Sequence, residues 1–152
     1  MLDWLGAVLA RQPDACPVGI FLHKPLFRQQ HQEADSNDRY VPKQAREQLL
    51  AILQPYNVRF VISGHTHQYR RLQLQGVEHI WVPSTSFCIP DAVQEPIGQK
   101  IVGVMLLSLD GNSHQAHVIN IAGMQRHNLL DQSAVYPQLT GLKQKLGAAG
   151  EL

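Results

Sequence analysis

The sequence predicts an α/β fold in which a parallel or mixed sheet packs against helices. The runs Val18–Leu22 and Val58–Ile62 are short and almost continuously apolar, which is typical of strands covered on both faces. Between them, a segment that begins near Pro42 has apolar residues at helical spacing. Its predicted buried face consists of Ala45, Leu49, Ile52 and Leu53. Strands that alternate with a helix in this way are typical of α/β proteins.

Composition restricts the class of protein. The chain has 152 residues, of which 44% are hydrophobic, enough for one domain with a core. Thirteen basic and twelve acidic residues leave a net charge of +1, which favours neither nucleic acid nor a membrane surface as a partner. Cys16 and Cys88 form no Cys-x-x-Cys pair and predict buried free thiols. Without a signal sequence or an apolar run near 18 residues, we expect a cytoplasmic location.

The amino-terminal segment is expected to bring a histidine to the end of the first strand. A helix over residues 1–10 precedes that strand. The apolar face of this helix consists of Leu2, Leu5, Val8 and Leu9. The strand Val18–Leu22 ends at His23, and Pro25 ends regular structure shortly afterwards. His23 is therefore predicted at the carboxyl edge of the sheet.

The polar stretch Phe27–Arg39 is predicted to be a loop. Loops that follow strand ends often carry substrate contacts, and we expect the same here. Within this loop, His31 is predicted to be a solvated side chain, whereas His79 is predicted on the face of a later strand.

Two hairpins are predicted in the second half of the chain. Leu72 and Leu74 alternate with polar residues, Gly76 turns the chain, and Val77–Val82 returns as a strand. A second turn signal, Asp-Gly-Asn at 110–112, follows about thirty residues later. It joins the predicted strands Ile101–Leu109 and Ser113–Ile121. A short terminal helix is indicated by Leu139, Leu142 and Leu146.

The strand Val58–Ile62 leads into two histidines that are one residue apart. We expect Gly64 to let the backbone leave the strand, and an extended backbone would then project His65 and His67 to the same side, with Thr66 turned away. Two imidazoles at the carboxyl end of a buried strand suggest a metal site. For an isolated His-x-His, a pair of hydrogen-bonded loop histidines is an equally good interpretation.

Two motifs together resemble the last two metal motifs of the calcineurin-like metallophosphoesterases. Residues 21–25 (Phe-Leu-His-Lys-Pro) match a lone histidine at a strand end, and residues 61–67 (Val-Ile-Ser-Gly-His-Thr-His) match a Gly-His-x-His. The resemblance covers roughly residues 2–109. It implies part of a four-layer αββα sandwich, with residues 1–123 as the carboxy-terminal half of a metallophosphoesterase domain. Residues 124–152 are expected to form a partly irregular extension.

The resemblance also implies an activity. Such enzymes are metal-dependent phosphoester hydrolases in which two divalent ions activate water. By this resemblance His23 and His65 are ligands of one metal, and His67 is a ligand of the other. The substrate is expected to be a phosphomonoester or a phosphodiester, and manganese, iron, zinc and nickel all suit histidine ligands.

The acidic motifs of that family are absent from this sequence. It contains no Asp-x-His, no Gly-Asp-x-x-Asp and no Gly-Asn-His, so neither a bridging carboxylate nor a catalytic histidine is assigned. We therefore expect that the amino-terminal half is missing and that this chain alone is inactive and binds at most one metal ion. Its expected partner is a second copy or that missing half. The alternatives are a non-catalytic interaction module of the same fold and a single-metal protein that uses only the three histidines.

Overall fold

The structure is a computed structural model that describes residues 2–149. Three α-helices and eight strands are found in this part of the chain. In chain order they are α1 (Leu2–Leu9), β1 (Pro17–Leu22), α2 (Lys43–Leu53), β2 (Asn57–Ser63), β3 (Arg70–Leu74), β4 (Val77–Trp81), β5 (Phe87–Cys88), β6 (Val104–Asp110), β7 (Ser113–Ile119), β8 (His127–Asn128) and α3 (Leu139–Ala149). None of these helices is long and apolar enough to cross a membrane.

The main sheet is mixed, with the strand order β1-β2-β4-β3. β2 runs parallel to both β1 and β4, whereas β3 and β4 form an antiparallel hairpin. The register sets Leu22 beside Ser63 and Ser63 beside Trp81, so the carboxyl ends of the three parallel strands lie at one edge. The predicted mixed α/β architecture is therefore confirmed, and this edge is where a site built on strand ends must lie.

Helices α1 and α2 cover one face of this sheet. Their apolar side chains form a core with residues of β1, β2 and the loop after β1. The buried members of this core are Leu9, Leu26, Phe27, Leu49, Leu53 and Val61. One position of the predicted helix face was wrong, because Ala45 is exposed and Arg46 is buried in its place. The buried face of α2 includes Arg46 because the Arg46 guanidinium donates hydrogen bonds to backbone carbonyls inside the protein.

The hairpin of β6 and β7 covers the other face of the sheet. Side chains of Met105, Leu107 and Ala116 pack on Phe60, Ile62 and Ile80. Gly111 has a φ of +55° in the turn, a conformation that glycine adopts without steric cost. The hairpin confirms the turn predicted at 110–112, although β6 begins at Val104, three residues later than expected.

Strand β1 is not covered on both faces, contrary to the sequence-based expectation. Its pattern alternates between half-buried and exposed residues, and Phe21 is 65% exposed. The hairpin core contains residues of β2 and β4 but none of β1, so one face of β1 is covered only in part. The ring of Phe60 extends over Gly19, where an added Cβ would come within 2.1 Å of it. The apolar run thus predicted the strand correctly but not its coverage.

The end of the chain contains short elements that the sequence did not predict. β5 and β8 pair in parallel over two residues each, and a 3₁₀ helix, Leu129–Gln132, follows β8. The Asn128 side chain accepts a hydrogen bond from the Leu130 N–H and caps this turn. The predicted terminal helix forms as α3, with Leu146 buried. Both cysteines are free, but only Cys88 is buried, because Cys16 lies in a half-buried turn.

Candidate metal centre

His23 and His65 meet at the carboxyl edge of the sheet. His23 follows β1 and His65 follows β2, and the Gly64 N–H donates to the His23 carbonyl at 3.1 Å, which ties the two strand ends together. The His65 Nδ1 atom lies 3.0 Å from the His23 Nε2 atom. The two rings are 4.8 Å apart at an angle of 68°. Parallel strands thus bring together two side chains that are 42 residues apart in sequence.

The backbone presents both loop histidines in an unusual conformation. His65 has a φ of +64° and His67 a φ of +52°, in the left-handed region that costs a non-glycine residue about 1–2 kcal/mol. The expected extended backbone was therefore wrong. So was the steric role of Gly64, because a Cβ there would meet its nearest atom at 3.7 Å, an ordinary contact. The turn is made at the histidines themselves, and such outliers concentrate at functional sites.

Buried polar side chains alternate with the histidines. Thr66 is fully buried, and its N–H donates to the Gly64 carbonyl at 2.7 Å. Gln68 is also buried, and its side chain donates to the Glu95 carbonyl at 3.0 Å and accepts from the Gly98 N–H at 2.7 Å. Both side chains point inwards, but only Gln68 ties this loop to residues 95–98, because the buried Thr66 hydroxyl has no hydrogen-bond partner among the described residues. The sequence analysis did not predict that Gln68 is buried. Its position two residues after Thr66, which was expected to turn away from the histidines, was the signal available.

His67 lies near this pair but has a partner of its own. Its Nδ1 is 3.2 Å from the Phe87 carbonyl, and its ring packs 4.5 Å from the Phe87 ring. A carbonyl only accepts, so Nδ1 carries the proton and Nε2 has the free lone pair. This is the arrangement usual for a metal-ligating histidine. Nevertheless, no three His, Cys, Asp or Glu side chains between residues 2 and 149 form a group that could hold one ion. The predicted role of His67 stays a prediction.

The two paired imidazoles fit one divalent ion. Donor nitrogens about 2.0–2.1 Å from a metal lie roughly 2.9–3.4 Å apart in octahedral or tetrahedral geometry. The observed 3.0 Å between His23 Nε2 and His65 Nδ1 falls in this range. Without a metal, the same distance requires one of the two ring nitrogens to carry a proton and to donate a hydrogen bond to the other. Two ligands leave several coordination positions to be filled by water or by other groups.

The surroundings keep His65 in the form that binds metals. Burial lowers the pKa of His65, and the nearby His23 and Lys24 lower it further, whereas Asp38 raises it. Lys24 is held next to the site because its ammonium group donates to the Asp38 carbonyl. His65 is therefore neutral at pH 7, as a nitrogen ligand must be.

Two arginines follow this loop at the start of β3. The Arg70 guanidinium lies 5.0 Å from the Trp81 ring centre and donates to the Arg28 carbonyl. Arg71 is bound to Glu78, with 2.7 Å between Arg71 Nε and the carboxylate. Only Arg70 thus lies at the sheet edge that carries the histidines, next to Trp81 at the end of β4.

The loop between β1 and α2 is held by a buried arginine. The Arg46 side chain donates to the carbonyls of His31 at 2.8 Å, Leu26 at 3.1 Å and Val41 at 3.2 Å, and also to that of Glu33. The prediction that His31 is solvated was wrong, because only 7% of it is exposed. Its ring packs against Phe27, 4.8 Å away. The sequence carried no signal that Arg46 and His31 would be buried, since an arginine on a helix is usually solvated.

Comparisons with known proteins assign the chain to no family. No family model matches the chain, and no curated protein matches it. Among solved structures, it is similar to a dimetal phosphatase from Danio rerio, with a TM-score of 0.39 and 28% sequence identity. The match covers 54% of this chain and 25% of that chain, so this chain spans about a quarter of the matched protein. A TM-score of 0.39 is too low to support a function for this chain. The proposed function is therefore based on the residues of the site itself.

Proposed function

We propose that this chain binds one divalent metal ion through His23 and His65 and supplies part of a metal-dependent phosphoester hydrolase site. The observation that carries this proposal is the 3.0 Å distance between His23 Nε2 and His65 Nδ1 at the carboxyl edge of two parallel strands. The left-handed backbone at His65 supports this proposal, because residues in unfavourable backbone conformations concentrate at functional sites.

Each histidine has a separate role in this proposal. His23 and His65 would hold the ion through Nε2 and Nδ1, and His67, oriented by the Phe87 carbonyl, would offer its free Nε2 to a second ion. A bound divalent ion supplies Lewis-acid activation of water and of a phosphoryl oxygen. Lys24, beside His65, contributes a positive charge that attracts the phosphate of a phosphomonoester or phosphodiester. These roles belong to the proposed metallophosphoesterase part, residues 1–123.

Two ions about 3.5–4 Å apart repel each other, so a two-metal site requires carboxylate ligands between them. No carboxylate among residues 2–149 joins the histidines in a metal-binding group. We therefore propose that hydrolysis requires acidic groups from another polypeptide segment, and that the chain alone binds one ion without turnover. The second candidate is a single-metal protein, and because only two of the three histidines are paired, it would hold its ion through His23 and His65 rather than through all three.

Metal titration tests the proposal directly. In calorimetry with Zn²⁺ or Mn²⁺, we expect no more than one ion per chain and loss of binding in His65→Ala and in His23→Ala. His117→Ala is the matched control, because His117 is exposed on β7 and its substitution should leave binding unchanged. Binding that persists in His65→Ala would contradict the site.

The role in hydrolysis is measured separately. With p-nitrophenyl phosphate, or with its bis-ester, the chain alone is expected to show no metal-dependent turnover. Turnover should appear when an amino-terminal half carrying Asp-x-His and Gly-Asn-His motifs is added, and disappear again in His65→Ala. Metal binding without restored turnover would favour the single-metal protein over the hydrolase.

A further inference from the structure

A cavity of about 690 Å³ lies on the helix-covered side of the sheet. It opens near the amino ends of β2 and β4, at the edge opposite His23 and His65. We call it the helix-side cavity. Its apolar walls come from α2, β2 and β4 and comprise Leu50, Leu53, Val58, Val61 and Val77. Its volume lies within the range of small-molecule sites, about 300–1,000 Å³.

Two buried histidines also line this cavity. His31 and His79 are 7% and 4% exposed, and their rings pack against each other and against Phe27. His31 Nδ1 lies 3.2 Å from Gln75 Oε1, an amide oxygen that only accepts, so this nitrogen carries the proton. The Nε2 atom of a neutral His31 is then a lone-pair acceptor. Among the described residues it has no hydrogen-bond partner, and neither has Nε2 of His79.

Unpartnered buried polar atoms are unfavourable, and the metal centre does not use these two. Burial lowers the pKa of both rings, which keeps them neutral near pH 7. The charged groups around the cavity are Glu47 and Arg59, which line it, and Arg46, which lies beside His31. Glu47 and Arg59 are of opposite sign, so neither an anion nor a cation is strongly favoured at the opening.

We propose that the helix-side cavity binds a small neutral molecule with a compact apolar body and one hydroxyl or N–H donor, which donates to His31 Nε2. The apolar walls accommodate the body of the ligand, and the donor satisfies the unpartnered nitrogen. Because Nε2 is covered by neighbouring atoms, the ligand reaches it after a rotation of the His31 ring within the Phe27–His31–His79 cluster. The exposed Gln75 side chain follows this rotation and keeps Nδ1 protonated. This site is separate from the metal centre and does not depend on the proposed hydrolase function.

Phenol is the probe, and toluene is its matched control, because the two differ only in the donor group. In titrations followed by NMR of the ¹⁵N-labelled chain, phenol is expected to shift signals of Val58, Val77 and the His31 ring in a saturable way. Its affinity should exceed that of toluene about tenfold, the factor that one neutral hydrogen bond supplies.

Two variants locate the site. In His31→Phe, which keeps a ring but removes the acceptor, phenol should bind no more tightly than toluene. Ala51→Trp places a large side chain at the exposed opening without changing the core, and should abolish the binding of both molecules. Equal affinities for phenol and toluene in the unmodified chain, binding that survives Ala51→Trp, or no saturable shift would each overturn the proposal.

Discussion

Replacement of Arg46 by methionine is expected to lower the free energy of unfolding by about 3 kcal/mol or more. Methionine keeps the length of the aliphatic side chain but removes every donor. The carbonyls of Leu26, His31, Glu33 and Val41 would then lose a charged partner inside the protein. Each buried acceptor left without a partner costs about 1–3 kcal/mol, and local relaxation recovers part of the total. Urea denaturation followed by circular dichroism measures the change.

The matched control for Arg46→Met is Lys43→Met, three residues earlier on the same helix. Lys43 is exposed, and its ion pair with Glu47 is long, at 3.8 Å. Its replacement should change stability by no more than about 0.5 kcal/mol. Limited proteolysis of Arg46→Met should in addition cut first within residues 26–41. Equal stabilities of the two variants would show that Arg46 does not hold this loop.

The second large effect is a loss of stability in mild acid. Burial lowers the pKa of His79 to about 4, with a smaller contribution from His31, while an unfolded histidine has a pKa near 6.5. The unfolded chain therefore binds more protons between these two values. The stability from the neutral buried ring is complete above about pH 6.5 and is lost as the pH falls towards 4. This difference corresponds to about 3 kcal/mol at most, and the lowered pKa of His31 acts in the same direction.

Substitution of His79 separates this effect from the titration of carboxylates. His79→Phe keeps an aromatic ring against Phe27 and removes the titratable group, so its stability should fall much less between pH 6.5 and 4. His117→Phe, on the exposed side of β7, should retain the full dependence of the parent chain. Chemical denaturation at a series of pH values compares the three proteins. If His79→Phe loses as much stability in acid as the parent, His79 is not the responsible group.

The elements that the sequence predicted correctly are those whose signal is local. The alternation around Gly76 and the turn at 110–112 specify their hairpins within a few residues. What covers each strand depends on residues far away in the chain, and so the exposure of Phe21 was not predictable. The burial of His31 was missed for the same reason, because it depends on Arg46, fifteen residues later.

The proximity of His23 and His65 was predictable because strand ends have a simple geometry. Parallel pairing of β1 and β2 is enough to bring the two side chains together, whereas their role as metal ligands came from the family resemblance and stays a prediction. The position of His67 was harder to foresee. Its partner, the Phe87 carbonyl, lies in β5, a strand of two residues that carries no sequence signal.

The left-handed backbone at His65 and His67 sets stability against the proposed metal binding in any engineering of this protein. Glycine or asparagine would relieve the conformational penalty at both positions, by about 1 kcal/mol or more at each. A library selected for heat resistance alone would therefore enrich such substitutions and discard the imidazoles. Thermostabilisation should instead be directed to the partly covered face of β1, where replacing the exposed Phe21 removes no proposed ligand.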